Sequence, residues 1–304
     1  MKKAAANSLL AIGLFATVLA ITGSVQASDP IEILFVGNSF THGHSAPAQY
    51  YNRDKVTDAN GTGFGGVAGL FKQLTLQAGL NYNVTLEVEG GRTLRWHCEN
   101  KAAIIGRPVW DVVVLQELST TPLPANRGGN PSQYAQSVAK LQSLIRANNP
   151  AASIYLYETW ASPASVIKQG YTNSGGLQAM QNDLQAATYD VYHDLGVTGV
   201  ARVGDAFLKA VDQGLADPDP SNGVEPGKIN FWGEDARHAG AYGSYLSAVV
   251  IFAKITGVDP RSLDVGEGSA AQGLGLDVSM ARELNRIAFE MTTLAEPARQ
   301  SLPN

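Results

Sequence analysis

A serine, a histidine and an aspartate in this sequence could together carry out acyl transfer. Ser39 lies in the segment Gly37-Asn38-Ser39-Phe40-Thr41, directly after the apolar run Ile31–Val36. This order predicts a buried strand that ends in a turn, and a turn held by a rigid sheet can present a hydroxyl to a ligand. A serine hydroxyl is a poor nucleophile at neutral pH unless a base takes its proton. A histidine must therefore lie near Ser39.

His238 is the preferred base among the five histidines. It follows an irregular segment and precedes a predicted helix that begins near Ala241, so its ring can reach over the end of a strand. Asp235 lies three residues earlier and can accept the Nδ1 proton, which holds the histidine in the tautomer that a base requires. The alternative for Asp235 is helix capping, because an aspartate before a helix commonly accepts backbone N–H groups.

The other four histidines have plainer interpretations. His42 and His44 lie too close in sequence to Ser39 for an easy approach to its hydroxyl, although both could line the site. A His-x-His pair with no third ligand in view is weak evidence for a metal. His97 follows a tryptophan and could line a pocket, whereas His193 falls in an amphipathic helix where a surface or core-edge role is expected.

The order of apolar runs is typical of a parallel sheet covered by helices. Strands are predicted at Ile31–Val36, Val84–Val88, Val112–Leu115, Ser153–Tyr157 and Gly199–Val203. Helices are predicted at Val67–Ala78, Gln133–Asn148, Gly176–Leu195, Ala241–Thr256 and Val278–Leu294. Residues 42–66 and 217–228 fit neither pattern and are predicted to be long loops, which in a compact domain often form the rim or lid of a site.

Residues 1–27 are predicted to be a secretory signal peptide. Lys2 and Lys3 precede the apolar stretch Leu9–Ile21, and the small-x-small pattern Val25-Gln26-Ala27 follows it. The apolar stretch is shorter than the roughly 20 residues that a bilayer span needs. We therefore expect export to the periplasm or the exterior without a stable membrane anchor, and a single catalytic domain at residues 28–304.

Charge and cysteine content narrow the classes of partner. Removal of residues 1–27 takes away two of the 22 basic side chains and none of the 27 acidic ones, so the formal net charge changes from −5 to −7. This balance disfavours nucleic acid as a partner. Cys98 is the only cysteine, which excludes an internal disulfide and a metal site built on several cysteines.

Two motifs resemble those of the SGNH (GDSL-type) hydrolase superfamily. The segment around Ser39 resembles the family's Gly-Asp-Ser block, with Asn38 in place of the usual aspartate, and Asp235-Ala236-Arg237-His238 resembles its Asp-x-x-His block. The Gly-x-Ser-x-Gly elbow of ordinary α/β-hydrolases is absent at Ser39. The resemblance implies a three-layer α/β/α, flavodoxin-like fold with a five-stranded parallel sheet. It also implies Ser39 as nucleophile, His238 as general base and Asp235 as its orienting acid, with no metal or cofactor required.

The same resemblance implies an oxyanion hole with three donors. The family uses the serine N–H, a glycine N–H after the second strand and an asparagine side chain after the third. Gly90 and Gly91 follow the second predicted strand here, and Gly91 is the preferred donor. Gln116 stands near the asparagine position with the same amide chemistry, and its Gln-Glu block is similar to that of the sialate O-acetylesterase branch.

The substrate stays open at this point, because one fold of this kind hosts many ester chemistries. Predicted export and the Gln116 block favour the removal of acetyl or related ester groups from carbohydrate. The alternatives are a lipase, thioesterase or polyester-cleaving hydrolase, and a catalytically silent glycan-binding protein of the same fold. Asn38, Trp160 and Trp232 are candidate substrate-binding residues, although a tryptophan at the end of a strand is more often core.

Overall fold

A six-stranded parallel sheet forms the centre of the molecule. The computed structural model describes residue 1 and residues 29–298, so the predicted signal peptide lies, apart from Met1, outside the described residues. The strands are β1 Ile31–Gly37, β2 Thr57–Asp58, β3 Tyr82–Val88, β4 Val112–Leu115, β5 Ser153–Tyr157 and β6 Gly199–Ala201. Their order across the sheet is β2-β3-β1-β4-β5-β6, and every pairing is parallel. The family resemblance implied five strands, and without the two-residue edge strand β2 the remaining five have the flavodoxin-like order.

Helices cover both faces of this sheet. They are α1 Ser39–His42, α2 Gly66–Gln77, α3 Leu94–Asn100, α4 Ala102–Ile105, α5 Pro131–Asn148, α6 Pro163–Lys168, α7 Gly176–Leu195, α8 Val203–Asp212, α9 Ala241–Thr256, α10 Ala270–Gly273 and α11 Val278–Thr293. Helices α2, α8, α9 and α11 pack on one face, while α3, α4, α5 and α7 pack on the other. None of the helices in the described part of the chain is long and apolar enough to cross a membrane.

The continuous apolar run in strand β1 is explained by burial on both faces of the sheet. Ile33 and Phe35 belong to the hydrophobic core on one face of the sheet, whereas Leu34 and Val36 belong to the core on the other. Successive side chains of a strand point to opposite faces, and a central parallel strand is covered on both. All four side chains are completely buried. The three-layer α/β/α architecture predicted from the sequence is confirmed.

Several predicted bounds differ by one or two residues, and two regions differ in kind. The fifth predicted strand, Gly199–Val203, ends at Ala201, and Val203 begins helix α8, which the sequence analysis missed. Only Arg202 separates strand from helix, so no glycine, proline or asparagine marks the change. The predicted loop 42–66 contains the short strand β2, in which Thr57 pairs with Thr85 of β3. Two residues are too few to give a periodic signal in the sequence.

Candidate active site

Ser39 is the first residue of helix α1, immediately beyond strand β1. Asn38 precedes it as the helix N-cap, and its side-chain oxygen accepts a hydrogen bond from the Phe40 N–H at 3.2 Å. A larger residue at Gly37 would displace its neighbours, because a Cβ at this position would lie 2.5 Å from both the Gln116 Oε1 and the Thr41 Oγ1. The strand end and the cap together hold Ser39 at the carboxyl edge of the sheet, half-buried.

The turn at residues 233–240 brings His238 to the same edge. The Gly233 N–H donates to the His238 carbonyl at 2.7 Å, and Trp232 forms an antiparallel bridge with Ala239. The indole N–H of Trp160, which follows β5, donates to the Arg237 carbonyl at 3.0 Å. These bonds hold the turn that begins at Asp235 over the end of the sheet, just before helix α9.

The structure brings Ser39, His238 and Asp235 together in one chain of hydrogen bonds. The Ser39 Oγ lies 2.8 Å from the His238 Nε2, and the His238 Nδ1 lies 2.5 Å from the Asp235 Oδ2. The other Asp235 oxygen accepts the backbone N–H groups of Arg237 at 3.0 Å and His238 at 2.9 Å. These are the distances at which a base takes a serine proton and an acid orients the base.

The pKa values of the two titratable groups suit this arrangement. Burial lowers the pKa of His238 below 6.5, and this effect outweighs the opposing hydrogen bond and charge of Asp235. Burial also tends to raise the pKa of Asp235, but the hydrogen bonds from the His238 ring and from two backbone N–H groups outweigh it and hold the value at about 2. At neutral pH the aspartate is therefore ionised and the histidine is a neutral base.

Donors for an oxyanion are present beside Ser39. Within residues 29–298, no hydrogen-bond partner is found for the N–H groups of Ser39, Gly90 and Gly91. Gly91 has φ +71°, a left-handed conformation that favours glycine. A Cβ at Gly90 would lie 3.7 Å from the His42 Nε2, so His42 lies beside this glycine pair. The preference for Gly91 as the glycine donor stays a prediction.

The side-chain amide of Gln116 is hydrogen-bonded inside the protein, whereas the family resemblance implied an oxyanion donor. Its Oε1 accepts from the Asn38 N–H at 2.9 Å and from the Thr41 hydroxyl at 2.8 Å. Its Nε2 donates to the Asn38 Oδ1 at 3.0 Å and to the Glu117 carbonyl at 2.5 Å. Both amide hydrogens are thus used inside the protein, and the side chain is completely buried. In this geometry Gln116 positions the turn at Asn38 and has no hydrogen left for a substrate oxygen.

The three candidate substrate-binding side chains are all buried. Asn38 is completely buried, since besides its bonds to Gln116 its Nδ2 donates to the Arg92 carbonyl at 2.9 Å. Trp160 is 1% exposed and stacks between Phe40 and Phe207, with ring centroids 4.0 and 4.7 Å away. Trp232 is 2% exposed. The two tryptophans therefore lie in the core, as the alternative interpretation had it, and their indole rings pack beneath the active-site turns instead of facing a substrate.

Of the remaining histidines, His44 and His42 lie at the site, whereas His97 and His193 pack elsewhere in the fold. The His44 ring stacks on His238 at a centroid distance of 3.9 Å and an interplanar angle of 10°. The His42 Nδ1 lies 2.5 Å from the Gly43 carbonyl, and its ring stacks on Phe64. His97 is buried and pairs with Glu87 through its Nδ1 at 2.5 Å. His193 lies near the end of α7, where its Nε2 is 3.0 Å from the Pro297 carbonyl.

Two contacts at the site were missed by sequence reasoning. Arg237 donates from its Nη2 to the Ser119 hydroxyl at 3.2 Å and so connects the histidine turn to the loop after β4. Glu117 accepts the N–H groups of Leu94 at 3.1 Å and Leu118 at 2.6 Å, and burial raises its pKa to about 7. In the sequence, the only indication of a role for Arg237 or Glu117 was that each lies next to a predicted motif residue.

Known proteins resemble this chain in structure alone. No protein-family model and no curated protein matches the sequence. A DUF4886 family protein from Bacteroides uniformis is 16% identical and has a TM-score of 0.58, with 88% of this chain and 98% of that chain covered. A protein from Parabacteroides merdae described as a GDSL-like lipase is 18% identical with a TM-score of 0.51, covering 75% and 95%. The α/β hydrolase LAE5, from the metagenome of Lake Arreo, Spain, is 14% identical with a TM-score of 0.50, covering 73% and 94%.

Fold and site together define a class of protein. At these identities the structural similarity shows the fold, which is that of the GDSL-type, or SGNH, hydrolases. The predicted resemblance of the chain to this superfamily is confirmed at the level of architecture. Onto this fold the chain places a serine, a histidine and an aspartate within hydrogen-bond distance of one another, and this arrangement carries the functional argument.

Proposed function

We propose that the protein is a carboxylic ester hydrolase that works through an acyl-enzyme on Ser39. The observation that carries the proposal is the continuous hydrogen-bond chain from the Ser39 Oγ through the His238 ring to the Asp235 carboxylate. The three groups come from two segments about 200 positions apart, and the fold holds both at one edge of the sheet. The GDSL-like lipase among the structural neighbours supports the same class of reaction.

The geometry supports a reaction in two halves. In the first, the His238 Nε2 takes the hydroxyl proton as the Ser39 Oγ attacks the ester carbonyl, and then passes the proton to the leaving alcohol. In the second, a water molecule repeats the attack on the acyl-enzyme and releases the acid. The ionised Asp235 stabilises the imidazolium that forms each time. The Ser39 N–H and the amide of Gly90 or Gly91 would stabilise the negative charge on the carbonyl oxygen.

We further propose a small acyl group, with acetyl esters of carbohydrate as the preferred substrates. His42 is only 6% exposed, lies beside Gly90 and is covered by Phe64, so its ring fills space next to the oxyanion donors. A small space beside these donors favours a short acyl chain, and the carbohydrate part of the proposal rests on the Gln116 block and on predicted export. Export through the predicted signal peptide is part of this proposal, since it would place the enzyme with extracellular polysaccharide.

Hydrolysis of p-nitrophenyl esters tests the proposal. The acetyl ester should be cleaved faster than the octanoyl ester, and Ser39→Ala and His238→Ala should each lower kcat by at least about 10³-fold, as in other triads. Ser132→Ala makes the same change at an exposed serine of α5 and should keep full activity. Activity that persists in Ser39→Ala would refute the nucleophile. Glycan binding without turnover would instead support a silent binding protein.

A further inference from the structure

Groups able to bind a metal ion meet on the solvent side of the proposed triad. The Nε2 of His44 lies 4.0 Å from the Asp235 Oδ2, and the His238 Nδ1 lies 2.5 Å from the same oxygen. One potential ligand atom from each of the three side chains lies within 4.8 Å of the other two. The proposed hydrolysis requires His238 and Asp235 but gives His44 no role, so its position needs a separate explanation.

Two of the three groups are open to solvent, and the His238 side chain beneath them is 12% exposed. The side chains of His44 and Asp235 are 50% and 38% exposed, and His44 belongs to the loop that follows α1. The Asp235 Oδ1 already accepts two backbone N–H groups, which leaves the Oδ2 to face both rings. Two imidazole nitrogens and one carboxylate oxygen, with an open fourth position, form a donor set that suits Zn²⁺.

We propose that Zn²⁺ binds to the His44 Nε2, the Asp235 Oδ2 and the His238 Nδ1, and that this ion inhibits the enzyme. A tetrahedral ion with ligand distances near 2.1 Å places its ligand atoms about 3.4 Å apart. The two distances to the Asp235 Oδ2, 2.5 and 4.0 Å, lie on either side of that value. The first distance must grow by about 0.9 Å and the second must shrink by about 0.6 Å, while the His44 Nε2 and the His238 Nδ1 already lie within 4.8 Å of each other. The half-exposed His44 side chain can turn out of its stack on His238, which points its Nε2 lone pair at the ion, while the His238 Nδ1 and the Asp235 Oδ2 move apart to admit it.

Inhibition follows from the position of one proton. In the resting site the His238 Nδ1 carries the proton and the Nε2 accepts from Ser39. A zinc ion at the Nδ1 leaves the ring neutral only with its proton at the Nε2, so the proton moves from one nitrogen to the other through solvent. The ring then has no lone pair for the Ser39 proton, and the first half of the reaction stops. The ion also separates Asp235 from the ring that it orients.

His42 does not belong to this cluster, although its sequence forms a His-x-His pair with His44. Its Nδ1 faces the Gly43 carbonyl, and its ring is 6% exposed beneath Phe64. The pair therefore contributes one ligand. The other two come from Asp235 and His238, about 190 residues further along the chain, which explains why a metal-binding pattern was weak in the sequence alone.

Zinc titration of His44→Phe provides the first test, which rests on the proposed esterase function. Phenylalanine keeps an aromatic face against His238 but offers no ligand. Loss of an outer-shell partner alone typically costs about 10–100-fold in metal affinity, so loss of a ligand should raise the half-inhibitory zinc concentration at least about tenfold. Each variant is compared with its own zinc-free activity on p-nitrophenyl acetate. His193→Phe, a matched change at a distant histidine, should behave like the unchanged protein.

Direct binding to the Ser39→Ala variant provides a readout that needs no hydrolysis. This variant keeps all three ligands, so calorimetry should show one zinc ion per chain, and Co²⁺ should give the visible absorption bands of a tetrahedral site. Both signals should be lost in Ser39→Ala combined with His44→Phe. Zinc binding that is unchanged by His44→Phe would overturn the site. Binding of zinc to a chain that hydrolyses no ester would support the site and refute the esterase instead.

Discussion

His238 is the residue on which the chemistry of the site depends. Its neutral form is the base, and burial holds its pKa below 6.5 despite the neighbouring carboxylate. Activity should therefore be low when the ring is protonated, rise as the pH passes through the His238 pKa and stay level above it.

A pH profile of kcat/KM measures this property directly. The ascending limb should follow a single ionisation with a midpoint below pH 6.5, and the profile should be flat from about pH 7 to 8. Asp235 contributes no step in this range, because its pKa is about 2. A midpoint above pH 7 would mean that the attraction of Asp235 outweighs burial, and that His238 is not the neutral base described here.

Gln116 and Asn38 are hydrogen-bonded to each other next to the proposed nucleophile. Two hydrogen bonds join the Gln116 amide to the backbone and side chain of Asn38, which caps the helix that begins at Ser39. Gln116→Ala and Asn38→Ala should each lower kcat, since either change frees the turn that carries the nucleophile. Because both act through one hydrogen-bonded unit, the double variant should lose much less than the sum of the single losses.

A double-mutant cycle on kcat separates this role from an oxyanion role. An interaction energy of about 0.5–3 kcal/mol is expected for groups in direct contact. Additive losses, with a fall of about 10²–10³ in kcat for Gln116→Ala alone, would identify Gln116 as an independent oxyanion donor instead.

Aromatic stacking connects separate elements beneath the site. Trp160 lies between Phe40 of α1 and Phe207 of α8, and its indole N–H holds the turn before His238. Trp160→Ala should lower the free energy of unfolding by about 3–5 kcal/mol, as expected for a large aromatic side chain removed from a core. Trp160→Phe keeps part of the stack and should cost less stability, while kcat still falls because the bond to Arg237 is lost.

Urea unfolding beside steady-state kinetics distinguishes these roles for Trp160. A substrate-stacking tryptophan would raise KM and leave stability unchanged when it is replaced by alanine. That result would contradict the buried position of the ring and restore the sugar-binding interpretation.

The same elements show what the sequence could and could not predict. Strands β4 and β5 and helices α7 and α9 have the predicted bounds, because polar residues follow the two apolar strands and a glycine follows each of the two long helices. Helix α8 was missed because Arg202 alone separates it from β6. Core burial of Trp160 was the stated alternative, but its stacking on Phe207 was not predictable because that residue lies in the missed helix. Ser39, His238 and Asp235 were predictable because each lies in a short motif with a chemical requirement, whereas the partners of Gln116 emerge only from packing between strands.

At the scale of the whole molecule, the parallel sheet assembles the site from distant segments. Strand β1 ends at the nucleophile, β3 leads to the glycine pair and β4 leads to Gln116, all at the same carboxyl edge. The turn before helix α9 then delivers the base and its acid from the far part of the chain. Ligands in open α/β sheets bind at this edge, so the fold explains why these groups meet there.

Covalent trapping tests the central claim that Ser39 is an activated nucleophile. Diethyl p-nitrophenyl phosphate should react with one residue of the folded protein, and peptide mass spectrometry should locate the diethylphosphoryl group on Ser39. Labelling should vanish in Ser39→Ala, slow sharply in His238→Ala and continue unchanged in Ser132→Ala. A folded protein that stays unlabelled, or one labelled at another residue with Ser39 unmodified, would contradict the account.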